Sequence, residues 1–392
     1  MIDFEFNSFC SGCGACCNVC PINAITMVPN AEGFLLPKID KNICINCGKC
    51  EAVCPHLNKE QVHPAKADVK AVWLYASPDD EVKYRSSSGA ACFEFGKTIL
   101  KTGGFVAGCI WDKDLVARHA VGKTEDLLIK TQSSKYVQSD TGNVYKAVLE
   151  LLKKGNTVLF TGTPCQATAM HNIVMNFGNK KFRKNLITVG VLCHGVASPM
   201  VWESFKKFAA KQEGSPLVKV NFRDKSKEGY KKSYCHYEYA NGRSTYLPTF
   251  LPSSKYIEAT LVYNLAIRNS CSHCDCKGIN TGIDLIVGDW YAEYQGEGKL
   301  GTSCIIAFTE HGKTFAESTL VGLRVFNYES IVRDNSFIEK SINKSPNREK
   351  FFERIGDCNY WSHVEELYPP KYKYKKLLVK LGIFEFLKRI IG

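Results

Sequence analysis

One cysteine spacing occurs twice near the start of the chain, and it constrains the fold more than any other feature. Each copy reads C-x2-C-x2-C-x3-C-P, beginning at Cys10 and at Cys44. In such a run three cysteines wrap a tight loop around a cubane, and the fourth ligates the neighbouring cluster. The spacing therefore predicts two 4Fe-4S clusters with crossed ligands. We define the first set as Cys10, Cys13, Cys16 and Cys54, and the second set as Cys44, Cys47, Cys50 and Cys20.

Zinc sites and disulfides are the alternative explanations of these cysteines. Zinc sites usually pair C-x2-C motifs across longer gaps and lack a repeated fourth Cys-Pro. The double run instead resembles bacterial two-cluster ferredoxins. Residues 22–28 and 34–39 predict two short strands joined by a turn. Cys17, which sits beside Cys16 on the same loop, is expected to be a bystander.

Length and composition indicate a multidomain cytoplasmic protein. A chain of 392 residues with 45% apolar residues is long enough for two or three cores. Its nineteen cysteines do not indicate secretion, because the N-terminus has neither a basic region nor an apolar signal segment. No apolar stretch reaches the length of a membrane span. We therefore expect a cytoplasmic location, at most peripheral to the inner membrane face.

The chain divides into five predicted segments with different composition. Residues 1–57 form the two-cluster ferredoxin domain, and polar residues 58–68 form a linker. Residues 69–154 and 155–365 form the two parts of a second, larger domain. Residues 366–392 form a basic tail whose apolar residues share one helical face. Such a tail could dock on a membrane or a subunit, although a helix packed on its own domain is the more common arrangement.

The larger domain has the pattern of an α/β fold. Residues 156–161 and 186–192 predict short buried strands, each followed by a helical pattern, so the two strands should run parallel. Cys165 and Cys193 follow these strands and should lie at the carboxyl edge of the sheet, where ligands bind in open α/β sheets. An added β-hairpin is predicted at residues 234–250, with a type I′ turn at Asn241-Gly242. The predicted fold class is therefore α+β/α/β, a ferredoxin-like module followed by an α/β domain with a partly parallel sheet.

Two further cysteines could complete a third cluster site. Cys271 and Cys274 form a C-x2-C on a polar turn, which is more often a metal clip than core packing. Together with Cys165 and Cys193 they supply four thiolates, which we call the third set. Cys276 leaves the fourth ligand open between Cys274 and Cys276.

Two polar loops have groups suited to an anionic ligand. Residues 85–89 place three serines and a glycine before a helical pattern at residues 90–101, where hydroxyls and free N–H groups could bind a phosphate or flavin edge. An ordinary serine N-cap explains the same residues equally well. The loop around Lys135 has one cation among several hydroxyls, and a solvated loop is its simpler interpretation.

Together these motifs carry a family resemblance. Residues 69–308 resemble the beta-subunit family of coenzyme F420 hydrogenases and dehydrogenases, on Arg85-Ser-Ser-Ser-Gly, Ser134-Lys-Tyr-Val-Gln-Ser, Gly162-Thr-Pro-Cys-Gln, Cys193-His-Gly, Cys271-x2-Cys274 and Gly288-Asp289. The resemblance implies an iron-sulfur flavoprotein with FAD beside a 4Fe-4S cluster on the third set. It also implies flavin contacts from Ser86, Ser87, Ser88, Gly89, Ser134, Lys135, Tyr136, Gln138, Ser139, Thr161, Gly162, Thr163, Pro164 and Gln166.

Three residues are candidates for proton transfer or for steadying flavin charge: His194, Lys135 and Asp289. A histidine beside a cluster ligand is, however, more often a hydrogen-bond donor to cluster sulfur. Two functional hypotheses follow. In the first, the chain is an oxidoreductase that receives electrons from a low-potential donor, such as ferredoxin or a reductase, and acts on a small organic or deazaflavin-type substrate. In the second, it is an electron-transfer subunit of a larger hydrogenase or dehydrogenase complex.

The formal net charge of +12 would ordinarily suggest a nucleic-acid partner. Cluster ligands are thiolates, however, and a four-thiolate cubane carries roughly −2 when oxidised. Three clusters and a flavin pyrophosphate would remove about eight positive charges. We therefore expect no nucleic-acid partner.

Overall fold

The computed structural model describes residues 9–57, 69–178, 180–249, 253–278, 281–290 and 299–370, together with 374, 377–379 and 381. The predicted linker, 58–68, and most of the predicted tail lie outside these residues. Among the described residues, no helix is both long and apolar enough to cross a bilayer. The five predicted domain boundaries stay predictions.

The N-terminal module is a small two-fold arrangement of helix and strand. Its strands β1, Ile25–Pro29, and β2, Leu35–Ile39, pair antiparallel. The helices α1, Ala15–Val19, and α2, Lys49–Ala52, each begin inside one cysteine run. Gly14 and Gly48 precede these helices with φ of 78° and 71°, a left-handed conformation that glycine adopts at little cost. The repeated Cys-Gly step thus turns each cysteine loop into its helix, and the ferredoxin-like module predicted from the spacing is confirmed.

A mixed sheet of eight strands forms the centre of the larger domain, in the order β13-β3-β12-β11-β7-β6-β4-β5. The four strands β11, β7, β6 and β4 are parallel, and antiparallel strands flank them on both sides. The prediction of a partly parallel sheet is therefore confirmed. The strands are β3 Ala71–Tyr75, β4 Phe105–Trp111, β5 Ala117–Gly122, β6 Val158–Gly162, β7 Leu186–Val191, β11 Leu285–Trp290, β12 Thr302–Ala307 and β13 Arg324–Val325.

Helices cover both faces of this sheet, because its central strands are apolar on both sides. They are α3 Asp80–Arg85, α4 Ala91–Lys101, α5 Glu125–Thr131, α6 Val144–Lys153, α7 Pro164–Phe177, α8 Pro199–Glu213, α9 Lys255–Ile257, α10 Glu310–Thr319, α11 Tyr328–Asp334 and α12 Arg348–Arg354. One core joins α6 and α7 to the sheet and includes Ala15 and Val53 of the N-terminal module. The module therefore shares its packing with the larger domain.

A second, three-stranded antiparallel sheet lies outside the large one. Its strands are β8 Leu217–Asp224, β9 Tyr234–Tyr239 and β10 Ser244–Pro248. The predicted hairpin is present, but the predicted type I′ turn is wrong. Only Gly242 has a positive φ, 80°, and its N–H donates to the carbonyl of Tyr239. The turn is therefore a four-residue turn closed by a left-handed glycine, which needs no strained asparagine.

The segment after the hairpin contains only a short α-helix. The helix α9 ends at Ile257 and continues as one π-helical turn, Glu258–Val262. Short 3-10 turns at Lys180–Asn185, Asn269–His273, Ser336–Ile338, Cys358–Ser362 and Val364–Leu367 complete the described elements. The turn Asn269–His273 contains the first cysteine of the predicted clip.

Asp284, the residue directly before β11, connects the start of this strand to the neighbouring strand β7. Its side chain is fully buried, and it pairs with Arg183 across 2.5 Å. Its carboxylate also accepts hydrogen bonds from the Thr188 N–H at 2.9 Å and from the Thr309 hydroxyl at 2.7 Å. Burial would raise the pKa of Asp284, but the Arg183 charge and these hydrogen bonds outweigh it and lower the pKa.

We expect Asp284→Asn to destabilise the protein by about 3 kcal/mol at neutral pH, because it leaves Arg183 without its buried counter-charge. The pKa in the folded state lies below the unfolded value of about 4, so the stabilisation is present above that pH and is lost on further acidification. Urea unfolding of the full chain measures this effect. The unfolding midpoints of the unmodified protein and of Asp284→Asn should converge as the pH falls. The exposed pair Asp126 and Lys130 supplies the control, and an Asp284→Asn midpoint no lower than that of Asp126→Asn would contradict the assignment.

Candidate metal centres

The first set lies at the buried end of the N-terminal module. Its four cysteines are each less than one-tenth exposed. Burial raises the pKa of the Cys54 thiol to about 11. Burial and then the neighbouring Cys54 raise the pKa of Cys13. Buried thiols that raise one another's pKa need positive charge before they can ionise, and iron supplies it.

The second set surrounds an open cavity of about 380 Å³ at the opposite end of the module. All four of its cysteines line that cavity, including Cys20 from the first cysteine run. Cys47 is exposed to solvent, and the rim carries Ile22 and Ile45, which are 36% and 62% exposed. The structure thus brings together the crossed groups expected from the spacing. Which thiolates bind iron stays a prediction.

The third set lies at the carboxyl edge of the parallel strands. Cys165 is in the first turn of α7, directly after β6, and Cys193 follows β7. Pro164 opens α7, and the Gln166 side chain accepts from the N–H of Thr163 at 3.0 Å, which fixes the start of the helix. The cysteine turn folds over this edge, so that Cys165, Cys193, Cys271, Cys274 and Cys276 all line one cavity of about 440 Å³.

This cavity suits a group larger than a single ion. Among the described residues, no three His, Cys, Asp or Glu side chains converge on one ion position. Several thiols spaced around one cavity are instead the donor set that a cubane uses. Burial raises the pKa of Cys274 to about 12 and also raises that of Cys193. The residues present therefore fit a 4Fe-4S cluster.

Cys274 and Cys276 are the two candidates for the fourth ligand. Cys193 is close enough to Cys271, Cys165 and Cys274 for their charges to affect its pKa. The pKa of Cys276 is influenced by Cys165 and Cys274 but also by Cys13 of the first set. Both cysteines line the cavity, and the C-x2-C spacing with Cys271 favours Cys274 as the ligand.

The cysteine loop of the first set is held by side chains of the larger domain. Its carbonyls at Cys10, Ser11 and Cys13 accept hydrogen bonds from Arg268 Nε, Gln138 Nε2 and Thr141 Oγ1 at 2.8, 2.8 and 2.9 Å. Ser270 Oγ also donates to the Cys10 carbonyl at 3.0 Å. Since Ser270 immediately precedes Cys271, one short segment contacts both cysteine sites.

A second anchor joins the module to the C-terminal residues. Both terminal nitrogens of Arg348, Nη1 and Nη2, donate to the Glu32 carboxylate at 2.5 Å. Gly33, next in the chain, has a φ of 79°, and an added Cβ would lie 2.3 Å from Met200 Cβ. Only glycine fits this approach, which fixes the β1–β2 turn against α8.

The two loops assigned to flavin lie against each other. Ser87 Oγ is 2.8 Å from Ser134 Oγ and accepts from the Ser134 N–H at 2.8 Å. Ser86 Oγ accepts from Gln132 Nε2 at 2.8 Å. The N-cap alternative is wrong, because Ala90 is the N-cap of α4 and no side chain caps that helix.

Several other residues assigned to flavin have partners inside the protein. Ser88 donates to the Thr302 carbonyl at 2.6 Å, and Gln166 Nε2 donates to Ser139 Oγ at 3.0 Å. Gly89 lies so close to β3 that a Cβ there would be 2.3 Å from the Tyr75 carbonyl. In the same way Gln138 holds the first cysteine loop, Thr161 Oγ1 donates to the Ala107 carbonyl, Tyr136 OH contacts Arg223, and Gly162, Thr163 and Pro164 form the turn into α7. Ser86, Ser87 and Ser134 also have internal partners, and the flavin contacts of all these residues stay predictions.

The three candidates for proton transfer lie in two places. His194 lines the cavity of the third set, and its Nε2 is 2.7 Å from Asn264 Oδ1. The Asn264 amide nitrogen donates to the Asn343 carbonyl, which orients Oδ1 to accept from His194. Neutral His194 then has no proton on Nδ1 for cluster sulfur. Burial also lowers the pKa of His194.

Lys135 and Asp289 lie near the predicted flavin loops instead. Lys135 Nζ donates to the carbonyls of Lys130, Gln132 and Ser133 at 2.9, 2.7 and 3.3 Å. These contacts use its three protons, and burial lowers its pKa to about 8. Asp289 accepts from Arg223 Nη1 at 2.8 Å, and the same nitrogen contacts the Tyr136 hydroxyl at 3.2 Å. The roles of all three candidates stay predictions.

Two separate regions of the chain match known protein families. Residues 155–324 match the family model that describes the C terminus of the beta subunit of coenzyme F420 hydrogenase/dehydrogenase. Residues 9–58 match the 4Fe-4S dicluster domain. The family resemblance is confirmed. One chain therefore matches both a 4Fe-4S dicluster domain and the C-terminal part of this beta subunit.

Curated and solved relatives are distant in sequence. One subunit of the F(420)H(2) dehydrogenase of Methanosarcina mazei is 26% identical over 293 residues, which are 71% of this chain and 75% of the relative. An uncharacterised protein of Methanocaldococcus jannaschii is 26% identical over 219 residues, 47% of this chain and 59% of the relative. A chain of the F420-reducing [NiFe] hydrogenase complex from Methanosarcina barkeri matches with a TM-score of 0.45 at 15% identity, over 76% of this chain and 91% of that chain.

Sequence reasoning missed several residues that contact the cysteine sites. Arg268, Ser270 and Thr141 contact the first cysteine loop, yet none belongs to a recognisable motif. His56 is also new, since its Nδ1 lies 2.8 Å from Asp275 Oδ2 and the ring lines the third cavity. Its position directly after the Cys54-Pro55 step is the one signal that could have suggested it.

We expect Cys276→Ser to keep about twelve iron atoms per chain, the content of three four-iron clusters, because Cys276 lies outside the C-x2-C pair of Cys271 and Cys274. Cys274→Ser should keep about eight, since it removes a ligand of the third cluster. Iron and sulfide analysis of anaerobically reconstituted protein measures both. The reverse result, with iron lost only in Cys276→Ser, would make Cys276 the fourth ligand.

Proposed function

We propose that the chain is an iron-sulfur electron-transfer subunit of an oxidoreductase complex of the coenzyme F420 hydrogenase/dehydrogenase type. The observation that carries the proposal is the order of the three cysteine sets. The second set opens to solvent at Cys47, the first set is buried against the larger domain, and the third set lies beyond it at the sheet edge. Cys13 and Cys165 are near enough for the charge of Cys165 to raise the pKa of Cys13, so the first and third sets are neighbours.

When bound, 4Fe-4S clusters supply one-electron transfer, and FAD links one-electron to two-electron steps. The residues of the chain contribute the spacing and the exclusion of water. Hydrogen bonds from Gln138, Thr141 and Ser270 fix the first loop against the third site. Burial of the first set and exposure of the second give the series one open end, where electrons can be exchanged with a partner.

The comparisons favour the electron-transfer hypothesis over that of a stand-alone reductase. The matched family model describes a beta subunit, and the Methanosarcina mazei relative is named as a subunit of F(420)H(2) dehydrogenase. We propose that this chain also has subunit partners. Docking through residues 366–392 remains part of this proposal, as does exchange with a low-potential donor such as ferredoxin.

We expect Ile45→Glu to slow electron exchange with a protein donor at least fivefold, because Ile45 is 62% exposed on the rim of the second set. A reduced bacterial ferredoxin, mixed anaerobically with the full chain in a stopped-flow instrument, is the probe. Reduction by dithionite, which needs no docking surface, should be unchanged. The control is Val321→Glu, at a side chain that is 92% exposed in the turn after α10. Equal rates of electron exchange in Ile45→Glu and Val321→Glu would show that the donor does not dock at the rim of the second set.

We also propose that FAD binds between the loops of Ser86–Ser87 and Ser134. The contact of Ser87 with Ser134 supports this, because it joins the two loops that the family resemblance assigns to the flavin. These loops supply hydroxyl and N–H donors of the kind that bind a pyrophosphate. A small organic or deazaflavin-type substrate would be reduced or oxidised there.

We expect about one FAD per chain in anaerobically purified protein, and an at least tenfold loss of FAD in Ser134→Asp, because a carboxylate there repels the pyrophosphate. Ser134→Ala is the neutral control, and iron content should be unchanged in both. Protein that contains its full iron but no flavin, even after incubation with excess FAD, would remove the flavin from the proposal.

A further inference from the structure

Arg268 is a buried cation whose partners are all neutral. Its side chain is 3% exposed. Nε donates to the Cys10 carbonyl at 2.8 Å, Nη1 to Gln138 Oε1 at 2.7 Å and Nη2 to the Leu35 carbonyl at 3.0 Å. The guanidinium carbon lies 5.0 Å from the centre of the Phe34 ring. These contacts satisfy the donors but do not balance the charge.

Other buried arginines of the protein do have carboxylate partners. Arg348 pairs with Glu32, Arg223 with Asp289 and Arg183 with Asp284. Among the described residues, no Asp or Glu forms an ion pair with Arg268. Burying an isolated charge costs several kcal/mol, and an opposite charge nearby offsets that cost. Among the residues that the structure describes, no side chain supplies the counter-charge of Arg268.

Arg268 contacts both cysteine sites. Its guanidinium donates to the carbonyl of Cys10 of the first set. Its backbone carbonyl accepts from the N–H of Cys271 of the third set at 3.0 Å. Gly12 of the first loop lies so close that an added Cβ would be 2.6 Å from Arg268 Nη1. Burial raises the pKa of Cys271, and the Arg268 charge opposes that rise. Both sites would become anionic when they hold a four-thiolate cubane.

We propose that Arg268 is the shared counter-ion of the clusters held by the first and third sets. This inference rests on the proposed function, because it needs both sites to hold clusters. A fixed positive charge stabilises the more negative, reduced state of a cluster. Arg268 therefore raises the reduction potentials of these two clusters above the values that they would have without it. Electrons that enter at the second set are drawn toward the interior.

The test is a potentiometric titration of the anaerobically reconstituted full chain, followed by electron paramagnetic resonance. In Arg268→Gln the ratio of reduced to oxidised cluster at a fixed potential should fall at least tenfold for the first set. That change corresponds to a midpoint about 59 mV more negative for one electron. The third set should shift in the same direction, and the second set should not move. Arg268→Lys, which keeps the charge, should stay within threefold of the unmodified protein.

A purely structural role gives a different pattern. If Arg268 only holds the loop, Arg268→Lys and Arg268→Gln shift the potentials alike, or neither shifts them, and either outcome overturns the proposal. Thr141→Val serves as a control, since it removes a neutral hydrogen bond to the same loop. Its midpoints should stay close to those of the unmodified protein.

A second pair of variants decides the matter even if Arg268→Gln fails to take up iron. Gln138→Glu places a carboxylate at the position now 2.7 Å from Arg268 Nη1 and so neutralises the cation in place. Gln138→Leu removes the same hydrogen bonds without adding charge. At a fixed potential, the ratio of reduced to oxidised first-set cluster should be at least tenfold lower in Gln138→Glu than in Gln138→Leu. Equal midpoint potentials in the two variants would overturn the proposal. Unmodified protein with only eight iron atoms would instead refute the third cluster itself, whatever Arg268 does.

Discussion

The loop that carries Cys10, Cys13 and Cys16 cannot satisfy its own backbone. A chain that turns its thiols inward around a cavity points carbonyls outward, and buried carbonyls need donors. Here the carbonyls of Cys10, Ser11 and Cys13 are satisfied by side chains from the larger domain. The module is therefore joined to the rest of the chain by the requirements of the same loop that forms its metal site.

This dependence makes the two cysteine runs unequal although their spacing is identical. The second loop has no comparable cover, and Cys47 and Ile45 face solvent. The first loop is enclosed by α6, α7 and the turn at Ser270, and Thr141 lies so near Gly14 that a Cβ there would be 2.4 Å from its hydroxyl oxygen. The two cysteine runs thus have the same spacing but differ in their exposure to solvent. The larger domain causes the difference.

Local patterns predicted most of what is local. The crossed cysteine groups follow from spacing alone, and the parallel strands β6 and β7 follow from two apolar runs separated by a helical pattern. The position of Cys165 and Cys193 at one sheet edge follows in turn, since it depends only on strand direction. The hairpin turn was wrong because Asn-Gly is compatible with more than one turn, and the π-helical turn after Ile257 has no simple sequence pattern. The ligand roles and the flavin contacts remain predictions.

What the sequence could not supply are contacts between distant segments. Arg268 meets Cys10 across 258 positions of the chain, and nothing near either residue indicates the other. Gln138 is a second example, in which the sequence motif suggested a different contact. Its motif resembles a flavin loop, yet its amide binds the Ser11 carbonyl and Arg268.

The polar residues of that loop therefore divide between two tasks. Gln138 and Thr141 contact the first cysteine loop, whereas Ser134 contacts the serine loop. Only a few residues of the chain separate Ser134 from Gln138 and Thr141. A segment that contacts the metal site at one end and the predicted flavin site at the other fixes the separation of the two, and separation is the variable on which electron transfer between buried centres depends most strongly. The short segment between Ser134 and Thr141 therefore links the predicted flavin site to the first cysteine set.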